Sequence, residues 1–358
     1  MTDSRSTISR RRFLLTTAAL ATSVAGLSAC NASAGSGDPA TGGSPEPAAT
    51  GVEEGAYPVT INHKYGNTTI ESAPQRVVTV GLKEQDDCVA LGVVPVGSTT
   101  WFDLGTSKLF GPWAQPALAG APEPTVLTDA DGIQFEKVAA LQPDLIIGVY
   151  SGITKGDYDK LSKLAPTVAP LKEYEEWGVP WDAEATVVGQ ALGRPQQMAG
   201  LVADAKRRVQ TVKDANSEFA GKTALADTPW EGVFVYGSQD PRCRLLTDLG
   251  FSLPADLDKV TKSAWGGDLS DESVDLLDVD AVVWLVEGNG RKDIEANKAY
   301  TSLAVHKEGR EVFTQPGDNV YEAFSLMTVL SIGYLVEELG PRLKNAVDGD
   351  PSTSTEPS

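Results

Sequence analysis

Histidine and cysteine are scarce in this chain of 358 residues, which has two histidines and three cysteines. His63 and His306 stand far from each other and from any cysteine pair, so a bare-metal site of the zinc or manganese type lacks its usual ligands. Cys88 and Cys243 show none of the close spacings of metal-thiolate sites. We expect two buried free thiols, with a disulfide between them as the alternative.

Positive charge and long apolar runs are also lacking. Lys and Arg number 30 against 49 Asp and Glu, and the formal net charge of −19 argues against nucleic acid as a partner. No run after residue 30 is long and apolar enough to predict a transmembrane helix. The Gly-x-Ser-x-Gly elbow of serine hydrolases is absent, and 237–239 is no phosphate loop. Because carboxylates are abundant, a pair acting as acid and base stays open.

The N-terminus has the pattern of an export signal. Consecutive arginines at 10–12 precede a short apolar run that ends at Leu27, which predicts export of a folded protein by the twin-arginine route. The segment 27–30, Leu-Ser-Ala-Cys, resembles a bacterial lipobox, and this implies that Cys30 carries a lipid. We therefore expect residues 1–30 to be a signal and the protein to be anchored to the outer face of the cell membrane.

Polar segments flank the globular part. Residues 31–56 are mostly Ala, Ser, Gly, Pro, Thr and Glu and cannot bury enough apolar surface to become ordered. As a flexible tether they would place the folded part roughly 30 Å from the anchor. Residues 346–358 are similarly polar, and we expect a disordered tail.

The globular part contains an internal repeat. Residues 135–147 align without gaps on 271–283, each copy giving a short helix, a turn with Asp and a buried strand. Upstream, 77–81 similarly matches 233–237. Short β-branched runs that alternate with helical stretches indicate parallel strands covered on both faces. We predict an α/β fold of two Rossmann-like lobes with central parallel sheets, at 57–181 and 220–345.

A connecting segment at 182–219 separates the lobes and contains the longest helix signal. From Pro195 to about Phe219, apolar residues recur at helical spacing with Lys and Arg on the opposite face. Such a helix measures roughly 36 Å and can brace both lobes. One helical connection is stiff, so we expect small relative motion of the lobes.

Taken together, these features resemble the helix-backbone class of solute-binding proteins that feed ABC importers, also called class III periplasmic binding proteins. The sequence is similar to iron-siderophore-binding lipoproteins in five segments, namely 74–78, 91–97, 135–147, 150–152 and 164–168. This resemblance covers about residues 57–343. It implies an extracytoplasmic monomer that captures a ferric siderophore between its lobes, needs no cofactor, and delivers the chelate to an ABC permease dimer with its ATPase.

The resemblance also implies how the permease is recognised. In this class one acidic residue on each lobe pairs with arginines of the two permease subunits, and the matching positions are Glu136 and Glu272. The internal repeat independently places both at the start of a helix that precedes a strand. A glutamate there also favours its helix N-terminus electrostatically, which is the simpler interpretation.

Ligand-binding candidates lie on loops at the carboxyl ends of strands, where open α/β sheets form their crevices. Aromatic rings there would cover an organic chelate, and arginines would donate to its iron-bound oxygens, so no protein side chain need touch the metal. Core packing or surface ion pairing is the alternative for each residue. The candidates are Trp101, Tyr150, Ser151, Trp177, Trp181, Arg242, Arg244, Trp265, Glu287 and Tyr321.

Three other functions stay open at this point. A haem or cobalamin binder of the same superfamily would keep the two glutamates and change which aromatic residues matter. A secreted hydrolase that uses two carboxylates would consume its substrate, whereas a binding protein would saturate with one ligand. A scavenging or signalling lipoprotein would share the cleft without needing Glu136 and Glu272.

Overall fold

Two five-stranded sheets, one in each lobe, form the framework of the computed structural model. The structure describes residues 51–100, 109–118, 120–128, 132–229 and 232–356. The strands are β1 (Val59–His63), β2 (Gly66–Ile70), β3 (Val77–Thr79), β4 (Gly97–Thr99), β5 (Thr125–Leu127), β6 (Leu145–Ile147), β7 (Thr167–Val168), β8 (Ala224–Thr228), β9 (Val233–Tyr236), β10 (Gly266–Leu269), β11 (Ala281–Leu285) and β12 (Glu311–Thr314).

Helices cover the sheets and connect the lobes. They are α1 (Glu84–Ala90), α2 (Gln115–Leu118), α3 (Phe135–Ala140), α4 (Lys155–Leu161), α5 (Trp181–Ala191), α6 (Pro195–Ala215), α7 (Pro241–Asp248), α8 (Leu257–Thr261), α9 (Gly290–Ala296), α10 (Ala304–Lys307), α11 (Asn319–Leu326) and α12 (Ser331–Ala346). Short 3-10 helices lie at Pro112–Ala114, Ser217–Phe219, Asp271–Leu277 and Tyr300–Ser302. Within the described ranges, no helix is long and apolar enough to span a membrane.

The N-terminal sheet is fully parallel, in the order β5-β4-β3-β6-β7. Every residue of its two central strands, β3 and β6, is buried, as a parallel sheet covered on both faces requires. An antiparallel hairpin of β1 and β2 precedes this sheet. The predicted central parallel sheet of the N-terminal lobe is therefore confirmed.

The C-terminal sheet is mixed, which corrects the prediction of a parallel sheet. Its order is β10-β9-β8-β11-β12, with β8, β11 and β12 parallel and β9 antiparallel to both of its neighbours. Only residues 229–232 join β8 to β9, and so short a connection permits a hairpin but no parallel crossover. The internal repeat is still visible in its best-matched segments, 135–147 and 271–283. These segments contain β6 and β11, and each of these strands lies beside the central strand of its sheet.

The connecting helix is shorter than predicted. α6 ends at Ala215 after 21 residues, about 32 Å, and a 3-10 turn follows at Ser217–Phe219. The helix packs on α5 and on α12, and Arg208 of α6 donates two hydrogen bonds of 2.8 Å to Glu337 of α12. The predicted two-lobed α/β fold with one long connecting helix is confirmed.

Both flanking segments contact the folded body more than predicted. The Glu53 carboxylate accepts hydrogen bonds from the backbone N–H groups of Gln196 and Gln197 at the start of α6. The predicted tether, 31–56, therefore merges into the fold by residue 53. At the other end, the Thr355 hydroxyl donates to the Glu311 carbonyl at 2.6 Å, so this part of the tail lies against β12. Polar side chains therefore hold residues 53 and 355 against the folded body through hydrogen bonds.

Cys88 and Cys243 are both buried and unbonded, which confirms the prediction of free thiols. Each belongs to the large apolar core that extends over α1, α5, α6, α7, α11 and α12. Burial raises the pKa of both thiols well above the usual value, so neither carries thiolate character at neutral pH.

Candidate functional site

Tyr150 lies at the carboxyl end of β6, where the N-terminal lobe faces the C-terminal lobe. Its ring meets Trp177 edge-on at a centroid distance of 5.4 Å, and the Lys83 ammonium lies 4.1 Å from its ring centroid. Burial raises the pKa of the Tyr150 hydroxyl, which therefore stays protonated and can donate a hydrogen bond.

Arg242 lies in the C-terminal lobe, near the start of α7. One terminal guanidinium nitrogen lies 3.0 and 2.8 Å from the two carboxylate oxygens of Asp240, and both side chains are buried. Asp240 also caps α7 by accepting the Arg242 backbone N–H. The guanidinium carbon lies 4.1 Å from the centroid of the Tyr236 ring. Burial raises the pKa of Asp240, and the Arg242 charge opposes this rise.

Tyr321 and Glu287 complete this side of the interface. Tyr321 lies on α11, Glu287 follows β11, and the Tyr321 hydroxyl donates a hydrogen bond to the Glu287 carboxylate. Burial and this carboxylate both raise the pKa of Tyr321.

Three tyrosines belong to this site, and the Arg242 guanidinium lies over the ring of one of them, Tyr236. Burial raises the pKa of Tyr150, Tyr236 and Tyr321, and in each case the Arg242 charge partly opposes the rise. Residues from both lobes meet at this point. We call the set the cleft cluster; it comprises Lys83, Tyr150, Trp177, Glu184, Tyr236, Asp240, Arg242, Glu287 and Tyr321.

Lys83 and Glu184 are not among the residues predicted from the sequence. The Lys83 ammonium lies 2.9 Å from Glu184 of α5 and donates to the Met327 carbonyl of the C-terminal lobe at 3.2 Å. The run of charged and amide residues at 83–87 suggests a solvated surface, yet all five are buried. The sequence contained one indication that this run belongs to the site: it directly follows the first buried strand, at the carboxyl edge of the sheet.

The same run joins the lobes through two aspartates. Asp86 accepts hydrogen bonds from the Thr328 hydroxyl at 2.7 Å and from the Trp113 indole at 2.6 Å. Asp87 accepts a longer bond of 3.4 Å from the Val329 backbone. Burial raises the pKa of Asp86 to about 6, although the two donors oppose this shift. These contacts join α1 to the segment before α12.

Several predicted residues lie elsewhere or have structural partners. The Ser151 hydroxyl donates to the Gly148 carbonyl at 2.7 Å, and Trp265 packs on Phe234 at 5.1 Å. Trp181 and Arg244 line a separate cavity of about 410 Å³ between α5, α6 and α7. Trp101 and Cys30 lie outside the described residues.

Glu136 and Glu272 occupy matching exposed positions. Glu136 lies in the first turn of α3, and Glu272 in the first turn of the 3-10 helix Asp271–Leu277. These helices begin after β5 and β10, each of which runs in the same direction as the central strand of its sheet. Both glutamates therefore lie at the carboxyl edge of their sheets, the edge that also carries Tyr150.

The cleft cluster suits an organic ligand better than a bare ion. Across the described ranges, no group of three or more His, Cys, Asp or Glu side chains is arranged to hold a metal ion. Protonated phenols, indole and guanidinium instead offer ring faces and hydrogen-bond donors to an oxygen-rich molecule.

Comparison with known proteins places these observations in a family. The sequence profile of the periplasmic binding protein family matches residues 91–316. The chain is 29% identical over 201 residues to the Fe(3+) dicitrate-binding periplasmic protein FecB of Escherichia coli (strain K12), covering 56% of this chain and 64% of that protein. It is 27% identical to the probable siderophore-binding lipoprotein YfiY of Bacillus subtilis (strain 168), covering 54% and 57%. The chain thus spans less than two thirds of these curated relatives.

Solved structures extend the similarity over the whole fold. A periplasmic solute binding protein from Mycobacterium smegmatis str. MC2 155 is 34% identical, with a TM-score of 0.68 over 81% of this chain and 98% of that one. Streptococcus pneumoniae TIGR4 PiaA in complex with ferrichrome is 27% identical, with a TM-score of 0.72 over 81% and 99%. Nearly the full length of each structure is matched.

Proposed function

Because the chain belongs to the periplasmic binding protein family, we propose that it is an extracytoplasmic solute-binding protein that captures a ferric siderophore between its lobes and delivers it to an ABC importer. The observation that carries this proposal is the group of buried aromatic and charged side chains where the lobes meet: Lys83, which lies over the Tyr150 ring, donates to Met327 of the C-terminal lobe, and Arg242 lies over the Tyr236 ring. Iron enters as cargo already held by the chelator. The names of FecB and YfiY, and the ferrichrome bound to PiaA, support this class of ligand.

In this proposal the side chains of the cleft cluster make two kinds of contact with the chelate. The rings of Tyr150, Trp177 and Tyr236 cover the organic face of the chelate, while the phenol and guanidinium groups donate to its oxygens. Trp101 and Trp265 stay candidates on the grounds of their positions in the sequence. Trp181, Ser151 and Arg244 are weaker candidates, because two of them line the separate cavity and the third bonds within its own loop.

Export and attachment form a further part of the proposal. The arginines at 10–12 direct twin-arginine export, and Cys30 carries the lipid that holds the mature monomer at the outer face of the cell membrane. Glu136 and Glu272, exposed at the carboxyl edges of the two sheets, pair with arginines of the permease dimer. Two carboxylates in equivalent positions suit a partner built from two subunits, and such exposed pairs orient docking more than they strengthen it.

Quenching of tryptophan fluorescence tests the binding function. The purified protein is titrated with ferrichrome, ferric enterobactin, ferric dicitrate, haem and cobalamin. We expect saturation by a ferric chelate at one equivalent, with the ligand recovered unchanged by mass spectrometry. Trp177→Phe should reduce the quenching amplitude, whereas Trp284→Phe, which removes an indole of the C-terminal core, should not. Saturation only by haem or cobalamin, or consumption of the ligand, would contradict the proposal.

A further inference from the structure

We propose that the bound ferric chelate carries no net negative charge and belongs to the trihydroxamate class. This inference rests on the proposed function and narrows its ligand. The ground for it is that both buried cations of the cleft cluster, Lys83 and Arg242, already have a carboxylate partner, so among the described residues this cluster leaves no buried cation free for a polyanion.

The first of these cations is Lys83. Its ammonium lies 2.9 Å from Glu184, and the two side chains are 2% and 1% exposed. Its remaining contacts are the Met327 carbonyl and the face of the Tyr150 ring. The Lys83 charge is therefore balanced within the protein.

Arg242 is balanced in the same way. One terminal nitrogen contacts both carboxylate oxygens of Asp240, and the other points to the Ser325 carbonyl at 3.4 Å. Its Nε is buried and has no hydrogen-bond partner among the described residues. Arg242 thus combines a neutralised charge with a buried N–H donor that lacks a partner, and a neutral oxygen acceptor such as a hydroxamate carbonyl would satisfy it.

Negative charge is in slight excess beside these pairs. Glu287 accepts the Tyr321 hydroxyl and forms no ion pair in the described part of the chain. Arg244 is partly exposed, bonds to the Gln239 side chain and lines the separate cavity, so solvent screens its charge. The two buried cations of the cleft cluster are therefore matched by two buried carboxylates, and Glu287 adds a third carboxylate that is exposed and screened by solvent, as Arg244 is.

Ferric chelates differ sharply in charge. Three hydroxamates, each with one negative charge, neutralise Fe³⁺, whereas three catecholates leave a net charge of −3, and ferric citrate complexes are also anionic. Enclosing a multiply charged anion against buried cations that are already paired, as those described in the cleft cluster are, is unfavourable. A neutral chelate avoids this cost and can still accept hydrogen bonds from the phenols and from Arg242.

Equilibrium titrations of the purified protein with ferrichrome, ferric enterobactin and ferric dicitrate test the inference. We expect ferrichrome to bind at least about tenfold more tightly than either anionic chelate. Tighter binding of either anionic chelate would overturn the inference and leave the proposed function standing. Saturable binding of none of the three would instead count against the proposed function.

Two substitutions test the charge balance directly. Asp240→Asn keeps an oxygen that can cap α7 and releases the Arg242 charge, and Glu287→Gln removes the unpaired carboxylate. Each should raise the affinity for ferric dicitrate relative to ferrichrome by about tenfold. Asp214→Asn, an exposed change of equal charge on α6, should leave this ratio unaltered.

Circular dichroism of each variant establishes that the fold is intact, and the Glu287 variant serves as the test if the Asp240 variant does not fold. If every correctly folded cleft variant keeps the wild-type ratio, paired charges do not determine the choice of ligand and the inference is wrong.

Discussion

The Lys83 ammonium and the Glu184 carboxylate lie 2.9 Å apart, and both side chains are almost fully buried. Lys83 precedes α1 of the N-terminal lobe, Glu184 lies on α5 of the connecting segment, and the ammonium also bonds to Met327 of the C-terminal lobe. One buried cation therefore joins three parts of the chain at the position where the lobes meet.

Breaking this pair should be costly. Lys83→Met leaves Glu184 as an uncompensated buried charge and should lower the free energy of unfolding by about 3–5 kcal/mol. Lys83→Met combined with Glu184→Met should recover much of that loss, because no buried charge then remains. Lys155→Met breaks an exposed pair with Asp159 and should cost less than about 1 kcal/mol. Urea unfolding measures the free energy of unfolding of each variant. Equal losses of stability for Lys83→Met and Lys155→Met would show that the buried Lys83–Glu184 pair matters no more than an exposed pair.

The pH dependence of stability should reveal Glu84. Burial, together with repulsion from Glu184, raises the pKa of Glu84 from 4.5 to about 8. Between these values the folded state holds a proton that the unfolded state has lost. The contribution of Glu84 to stability is therefore complete below pH 4.5 and disappears as the pH rises through 8, with a slope of up to about 1.4 kcal/mol per pH unit.

Urea unfolding between pH 5 and 9 checks this sign. Stability should fall as pH rises, and Glu84→Gln should flatten the dependence, since the amide can still accept the Tyr150 backbone N–H. Asp86, whose pKa burial raises to about 6, contributes in the same direction at lower pH. The exposed Glu71→Gln is the matched control. A stability that rises with pH, or an unchanged slope in Glu84→Gln, would show that Glu84 is ionised in the folded protein.

The sequence predicted most of the fold because its strongest signals are local. β3 and β6 are continuous apolar runs bounded by turns, and they form the parallel centre of the N-terminal sheet. β8, with the sequence Ala-Leu-Ala-Asp-Thr, has little β-branched character and was not recognised as the central C-terminal strand. The predicted direction of β9 was wrong, because the direction of a strand depends on the length of the connection that precedes it and not on its apolar residues.

The site was only partly predictable. Tyr150 and Glu287 follow from a rule about strand ends, and Tyr321 bonds to Glu287. Arg242 was predicted by the same rule, but β9, which precedes it, runs antiparallel to its neighbours, so the rule does not explain its position. Lys83 was not predicted, because nothing in a run of polar residues indicates that one of them is buried. Its partners, Glu184 and Met327, are about 100 and 244 positions away in the chain. Pairing of buried charges is a property of the packed lobes, so a single sequence does not reveal it.

The start of the connecting helix should depend on Glu53. Its carboxylate accepts hydrogen bonds of 2.9 and 3.0 Å from Gln196 N–H and of 2.9 Å from Gln197 N–H, satisfying two donors that a helix N-terminus leaves open. Glu53→Ala should therefore lower the free energy of unfolding by about 0.5–2 kcal/mol. Glu54→Ala, an exposed neighbour of the same charge, should cost little. Urea unfolding that does not distinguish the two variants would show that the cap contributes nothing.

Glu136 and Glu272 should matter for delivery and not for capture. Both are exposed at the carboxyl edges of their sheets, and neither belongs to the cleft cluster. Glu136→Ala combined with Glu272→Ala removes the carboxylates proposed to meet the permease arginines, so uptake of radioactive ferric chelate by cells should fall at least about tenfold. Each single variant should lose less, because the other lobe can still dock.

The affinity of the purified double variant for the chelate, measured by fluorescence titration, separates docking from binding. We expect that affinity to equal the wild-type value, because the substituted side chains lie outside the cleft cluster. Glu123→Ala with Glu295→Ala, one exposed acidic change in each lobe, removes the same charge away from the two helix starts and should leave uptake intact. Equal loss of uptake in both double variants would point to general electrostatic attraction, and normal uptake in Glu136→Ala with Glu272→Ala would exclude these glutamates from docking.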